Sequence, residues 1–114
     1  MENIDKMNVA VLIPVYNEKD NLQQLIDSIK DLDLEQYYFY FIDDGSTDGS
    51  FDDIEIPLDN HKIIKHRKNF GLATSVKTGI EAALLGNAEY IVKVDADLQH
   101  DLRELESLVI PLKN

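Results

Sequence analysis

Apolar residues fall along this chain in short bursts separated by polar turns, and the spacing within each burst assigns it an element. Residues 8–13 (NVAVLI) run apolar and β-branched up to Pro14. They do not alternate with polar residues, which predicts a strand buried on both faces, as in a parallel sheet. Leu22, Leu25, Ile26 and Ile29 then recur at helical spacing, with Asn17 as the expected N-cap and Asp20 three residues on. Residues 37–42 (YYFYFI) predict a second strand, stopped by the dense turn signal DDGSTDGS. Residues 51–59 fit no single pattern, and Pro57 forbids a long helix there. Residues 61–66 (HKIIKH) read as a third strand. Leu72, Val76, Ile80 and Leu84 fall four apart in a helix that Gly86 can close. Residues 90–94 (YIVKV) read as a fourth strand. Asp101 is the expected cap of a last helix carrying Leu102, Leu105, Leu108 and Val109, with Glu104 completing the cap.

Strands that alternate with helices imply a parallel sheet. The expected fold class is α/β: a Rossmann-like, largely parallel sheet of about four strands flanked by helices, one domain over the whole chain. In such sheets ligands bind beyond the carboxyl ends of the strands. Those ends carry Pro14-Val15-Tyr16-Asn17-Glu18, Asp43-Asp44-Gly45-Ser46, Arg67-Lys68-Asn69-Phe70-Gly71 and Asp95-Ala96-Asp97. Every polar cluster of note therefore lands on one edge. With 14 Asp in 114 residues, chance alone gives about as many Asp-x-Asp pairs as are present. Placement separates the two: Asp95 and Asp97 follow a strand, whereas Asp31 and Asp33 follow a helix and fall on the opposite edge.

Composition narrows the partners. Formal charge is -11 at pH 7, which argues against broad contact with nucleic-acid backbone and suits a cation site. There is no Cys, hence no disulfide framework. No apolar run reaches the ~20 residues that span a bilayer, and the N-terminus shows no secretory pattern. A cytoplasmic location is the expectation.

Alternate residues of an extended chain point the same way, so Asp95 and Asp97 can converge on one cation. Hard oxygen ligands favour Mg²⁺ or Mn²⁺, which bind together with substrate phosphates. The bland alternative is a solvated loop. Asp43 and Asp44 stand where nucleotide-binding sheets place an acid for a ribose hydroxyl or a base N–H, although Asp-Gly also makes turns unaided. Tyr16 is suited to stack on a base or to pack over a strand end. Glu18 is favoured in a first helical turn by the dipole alone. Arg67 and Lys68 can face a phosphate or pair with carboxylates. Gly71 opens a helix whose amides can face an anion. His66 and His100 read as structural, with His100 the better candidate for chemistry because it neighbours Asp97. No Walker loop and no G-x-G-x-x-G follow the first strand, and three scattered His without Cys make a poor zinc site.

Taken together, residues 13–18 (IPVYNE), 42–48 (IDDGSTD), Arg67 with Asn69-Phe70-Gly71, Lys77-Thr78-Gly79 and residues 94–100 (VDADLQH) resemble the family 2 glycosyltransferases. The nearest branch by resemblance is the polyprenyl-phosphate mannose and glucose synthases, and the likeness runs from residue 8 to about residue 110. The resemblance implies an inverting transferase of the A-type nucleotide-sugar fold. It implies nucleotide contacts for Pro14, Tyr16 and Glu18 and base recognition by Asp44, with Asp43 beside it. Arg67, Asn69 and Gly71 match the loop that flanks the nucleotide. Asp95 and Asp97 match the pair that holds metal and sugar diphosphate, and Gln99 matches a further metal-site residue. The implied partners are a GDP- or UDP-hexose, Mg²⁺ or Mn²⁺, and a lipid phosphate at the cytoplasmic face of the membrane.

The sequence departs from the pattern at Ser75, where Ala is common, and at Asp101-Leu102, where Pro-Pro is common. Family members also continue into an acceptor-binding half that holds the proposed general base, and nothing after Asp101 matches it. The chain thus reads as a donor-binding half, weakly active or inactive alone. The alternative is a non-catalytic nucleotide or sugar-phosphate binding module. A phosphoacceptor receiver domain is disfavoured because the first strand ends in Pro14-Val15-Tyr16 rather than an acidic pair. A nucleotidyltransferase would want a Gly-rich basic loop there. The outer edge of the fourth strand is expected to be exposed, so self-association as a homodimer through it is expected, and sedimentation at tens of micromolar tests it.

Overall fold

The structure is a computed structural model, and it describes residues 8–30, 35–96, 110 and 111. Its elements are β1 (Val9–Val15), α1 (Lys19–Ile29), β2 (Tyr37–Asp43), β3 (His61–Lys65), α2 (Leu72–Leu85), β4 (Tyr90–Lys93) and β5 (Ile110–Pro111). They form a five-stranded sheet in the order β3-β2-β1-β4-β5. β1, β2, β3 and β4 are parallel, and β5 runs antiparallel to β4. The Rossmann-like α/β expectation holds, with one strand more than foreseen.

β1 occupies the centre, as its unbroken apolar run requires. Val9, Val11, Ile13 and Val15 point to one face, where Leu22, Leu25, Ile26 and Ile29 of α1 cover them together with Phe39 and Phe41. Ala10 and Leu12 point to the other, packing with Tyr40, Ile42 and Ala83 of α2. That second face is lined by small residues, so α2 lies close. A Cβ built on Gly79 would come within 3.0 Å of Leu12 Cδ2 and 3.1 Å of Ile42 Cδ1. Residues 51–59 form no helix; Phe51, Ile54, Ile56 and Leu58 pack as an irregular flank on the α1 face. Gln23 of α1 clamps this flank, donating from Nε2 to the Glu55 carbonyl and accepting from the Glu55 N–H, each at 3.2 Å.

Pro14 lies within the central strand, where a missing N–H ordinarily breaks a ladder. The register explains why it is tolerated. Val94 N–H donates to the Leu12 carbonyl at 2.9 Å, so even-numbered backbone groups of β1 face β4. Asp44 N–H donates to the Val15 carbonyl at 2.8 Å, so odd-numbered groups face β2. Pro14 therefore turns its missing donor toward β4, and pairing with β4 has already ended at Leu12↔Lys93. β2 stays paired with β1 through Val15↔Asp43. The sheet thus parts between β1 and β4 at its carboxyl edge. That is also where the strand order reverses, because β2 and β3 lie to one side of β1 and β4 to the other.

Two expectations are corrected. The cap of α1 is Glu18, not Asn17, which adopts φ 54° and leaves the helix. The outer edge of β4 is closed at Tyr90 and Ile91 by pairing with Pro111 and Ile110, which removes the ground for self-association through that stretch. Gly86 ends α2 as expected, as its C-cap at φ -87°, and Asn87 follows at φ 62°. The last expected helix falls on residues 101–109, outside the described residues.

Gly86 is demanded by packing, since a Cβ there would come within 2.6 Å of the Tyr40 hydroxyl. Gly86→Ala is expected to destabilise the fold by about 1–2 kcal/mol through overpacking. Tyr40→Phe, which deletes the obstructing hydroxyl, is expected to remove most of that cost in the double variant. A double-mutant cycle by urea unfolding checks it, and additive losses would refute the contact.

Candidate nucleotide-sugar site

The carboxyl edge is assembled by loops that bind one another. After β2, Asp43 Oδ1 accepts the Ser46 N–H at 2.9 Å, folding the chain back on itself in a side-chain-capped turn. Gly45 sits in that turn at φ 74°. A Cβ there would lie 2.3 Å from the Lys68 carbonyl carbon, so the loop after β3 rests directly on the glycine. Only a residue without a side chain permits both the backbone angle and the approach.

The loops after β1 and β2 are stitched together. Asn17 N–H donates to Ser46 Oγ at 3.0 Å, and Asn17 Oδ1 accepts the Thr47 N–H at 2.7 Å. Glu18 N–H donates to Ser50 Oγ at 3.1 Å, and Lys19 N–H donates to Asp48 Oδ2 at 3.1 Å. The Ser50 hydroxyl in turn donates to Asp48. Two amides at the start of α1 are thus satisfied from another loop, in place of a local cap. The Glu18 side chain turns to its own helix and accepts from Asn21 Nδ2 at 3.0 Å.

Asp44 joins β2, the loop after β3 and α2. It is 4% exposed. Its Oδ1 accepts from His66 Nδ1 at 2.8 Å and from the Phe70 N–H at 3.0 Å, and its Oδ2 accepts the Gly71 N–H at 2.9 Å. His66 Nε2 lies 2.9 Å from Thr78 Oγ1 on α2. The Thr78 hydroxyl can pair with that nitrogen whether or not it carries a proton, while Nδ1–H faces the carboxylate. The anion expected near the start of α2 is therefore the chain's own carboxylate. Burial pushes the Asp44 carboxyl up, but the His66 bond, the two backbone N–H bonds and the His66 charge outweigh it, leaving the carboxyl below its ordinary range.

The sequence-derived residues all reach this edge where they are described. Pro14 lies near the end of β1 and Tyr16 follows it, 47% exposed. Arg67 and Asn69 are exposed in the loop after β3, and Phe70 beside them is exposed too, with Lys68 Nζ 5.4 Å from its ring centroid. Asp95 follows β4, half-buried, and pairs with Lys93. Asp97, Gln99 and His100 lie outside the described residues. Among the described residues no three His, Cys, Asp or Glu gather as a metal cage, and Asp95 brings one carboxylate to the edge. Sequence reasoning assigned no individual role to Ser46, Asp48, Ser50, Thr78 or Lys93. The first three lay inside a turn signal, and nothing local says which distant amides they would bind.

Comparison with solved structures places the fold. The chain is similar to the mannosyltransferase PcManGT from Pyrobaculum calidifontis, in complex with GDP-Man and Mn2+, at a TM-score of 0.65 and 24% identity. That match covers 79% of this chain and 27% of the other. It is also similar to S. aureus TarS, at a TM-score of 0.67 and 20% identity over 89% of this chain and 19% of that one. The architecture is that of the A-type nucleotide-sugar transferases. In sequence, the profile of glycosyl transferase family 2 matches residues 10–114, and the chain belongs to that family. It is 36% identical over 118 residues to an undecaprenyl-phosphate 4-deoxy-4-formamido-L-arabinose transferase of Proteus mirabilis, covering 96% of this chain and 35% of the relative. It is 32% identical over 111 residues to a dolichol-phosphate mannosyltransferase of Pyrococcus furiosus, covering 95% and 31%. The chain spans about a third of the length of these curated relatives.

Asp44 links the site to pH. Its folded carboxyl titrates below the unfolded one, so its contribution is fully present above the unfolded value, about pH 4, and is lost as pH falls through the folded value. Asp44→Ala is expected to cost roughly 2–4 kcal/mol at pH 7, because it leaves buried donors unpaired. Asp44→Asn is expected to flatten the acid limb of stability. Urea midpoints between pH 7 and pH 3 check both, and an unchanged acid limb in Asp44→Asn would contradict the assignment.

Proposed function

We propose that this chain forms the donor-binding part of an inverting glycosyltransferase. It would bind a nucleotide-diphosphate sugar, a GDP- or UDP-hexose, for transfer to a polyprenyl phosphate at the cytoplasmic face of a membrane. The observation that carries the proposal is the parting of the sheet at Pro14, with the four motif-bearing strand ends around it. The names of the relatives supply the acceptor class: two different sugars, mannose and 4-deoxy-4-formamido-L-arabinose, but a polyprenyl phosphate in both. The mannosyl relative and the GDP-Man neighbour support a hexose.

In this reading Tyr16 presents a half-exposed ring on which the base stacks. Pro14 holds the edge open, and Glu18 fixes the start of α1. Asp43 and Asp44 set the loops that frame the base, and Asp44 retains lone-pair capacity for a base N–H. Arg67, Asn69 and Gly71 border the nucleotide, with the Arg67 guanidinium suited to a phosphate. Asp95, with Asp97 and Gln99, would hold Mg²⁺ or Mn²⁺. The metal would neutralise the diphosphate and so improve it as a leaving group. The general base belongs to the acceptor-binding portion of the enzyme and is assigned to no residue of this chain.

The test is calorimetric titration with GDP and UDP, each with and without Mn²⁺, on the wild type, Asp97→Ala and Tyr16→Ala. Metal-dependent binding of one nucleotide, lost in Asp97→Ala, is expected. Tyr16→Ala should weaken it by roughly tenfold, the low end of a lost base stack. Binding that is indifferent to Mn²⁺ and to Asp97→Ala would refute the metal-diphosphate reading. Binding without sugar transfer, after the acceptor-binding portion of a relative is supplied, would favour the non-catalytic module.

A further inference from the structure

The site just described contains a cation of its own. Lys93, the last residue of β4, donates from Nζ to Asp95 Oδ1 at 2.7 Å. The two residues stand two apart on an extended chain, which puts their side chains on the same side. Both are open to solvent, at 38% and 37% exposure. Acidic residues outnumber Lys and Arg by 22 to 11 in this chain, yet a lysine sits on the carboxylate that begins the Asp-x-Asp pair.

We propose that Lys93 is a resident counter-ion that a divalent cation must displace from Asp95, coupling metal binding to the arrival of the diphosphate. The inference rests on the donor-site reading and adds to it a residue and an order of binding. An ammonium bonded to Oδ1 takes one of that oxygen's lone-pair positions, and like-charge repulsion disfavours a divalent cation on the other. A metal held by the other carboxylate oxygen would still meet a positive charge a few ångströms away. Metal alone therefore trades one favourable contact for another and binds weakly. A diphosphate changes the balance, because its negative charge takes up the displaced ammonium while its oxygens complete the metal's shell. Such coupling is reciprocal: whatever Lys93 adds to nucleotide-dependent metal binding, it adds equally to metal-dependent nucleotide binding.

Mn²⁺ titrations followed by electron paramagnetic resonance, with and without GDP or UDP, test this on the wild type, Lys93→Met and Lys93→Gln. Thermal unfolding confirms that each variant folds. Removing an exposed ion pair should tighten Mn²⁺ alone by roughly two- to fivefold. The further gain in Mn²⁺ affinity on adding nucleotide should shrink. In an Asp95→Asn background, Lys93→Met should leave Mn²⁺ affinity unchanged. If the wild type binds Mn²⁺ but Lys93→Met and Lys93→Gln bind it no more tightly, the counter-ion role is overturned and the donor site stands. If none of them binds Mn²⁺ under any condition, the metal-site reading fails and the counter-ion role fails with it.

Discussion

A single buried carboxylate organises the functional edge of this molecule. Asp44 stands at the end of a strand in the middle of the sheet, where water is scarce and every charge needs partners. It finds them in the Phe70 and Gly71 amides and in His66. Each partner belongs to the segment that leads from β3 into α2. One side chain therefore fixes where β3 ends, how the following loop lies and where α2 begins. Thr78 extends the same chain of bonds one and a half turns into α2 through the far nitrogen of His66. The Lys77-Thr78-Gly79 run acquires a physical meaning here. Thr78 bonds to the histidine, and Gly79 lets the helix approach Leu12 and Ile42.

The edge is held open by an absence as much as by contacts. Pro14 cannot donate toward β4, and the ladder on that side ends two residues earlier. On the β2 side, pairing continues to Asp43. The resulting gap is bordered by loops that spend their own polar groups on each other. Asn17 holds Ser46 and Thr47, while Asp48 and Ser50 hold the start of α1. Such bonding costs the loops conformational freedom at folding, so less remains to be lost when a ligand arrives. The Lys93–Asp95 pair follows the same logic for charge, with an internal partner in place until a better one replaces it.

Much of this was legible in the chain itself. The periods of β1, α1, β2 and α2 announced their elements, because a strand buried on both faces cannot alternate and a helix covering one face must repeat near four. The placement of the described motif residues at strand ends followed from topology. Asn17 was misread because a side chain suited to capping its own helix is equally suited to bridging two loops. Local pattern does not contain the position of Ser46. The extra strand β5 escaped notice because two residues, Ile110 and Pro111, carry no periodicity at all.

The sequence by itself determined the class of fold, the family and the edge on which its motif residues gather. These depend on short-range periodicity and on motif residues whose spacing is fixed along the chain. Tertiary structure alone decided which donor each polar group serves. It made Asp44 a buried anchor and His66 a bridge between strand and helix, and it set Lys93 against Asp95. Those outcomes depend on burial and on contacts between residues as far apart as Asp44 and Gly71. Such contacts exist only once the sheet has brought its strand ends together.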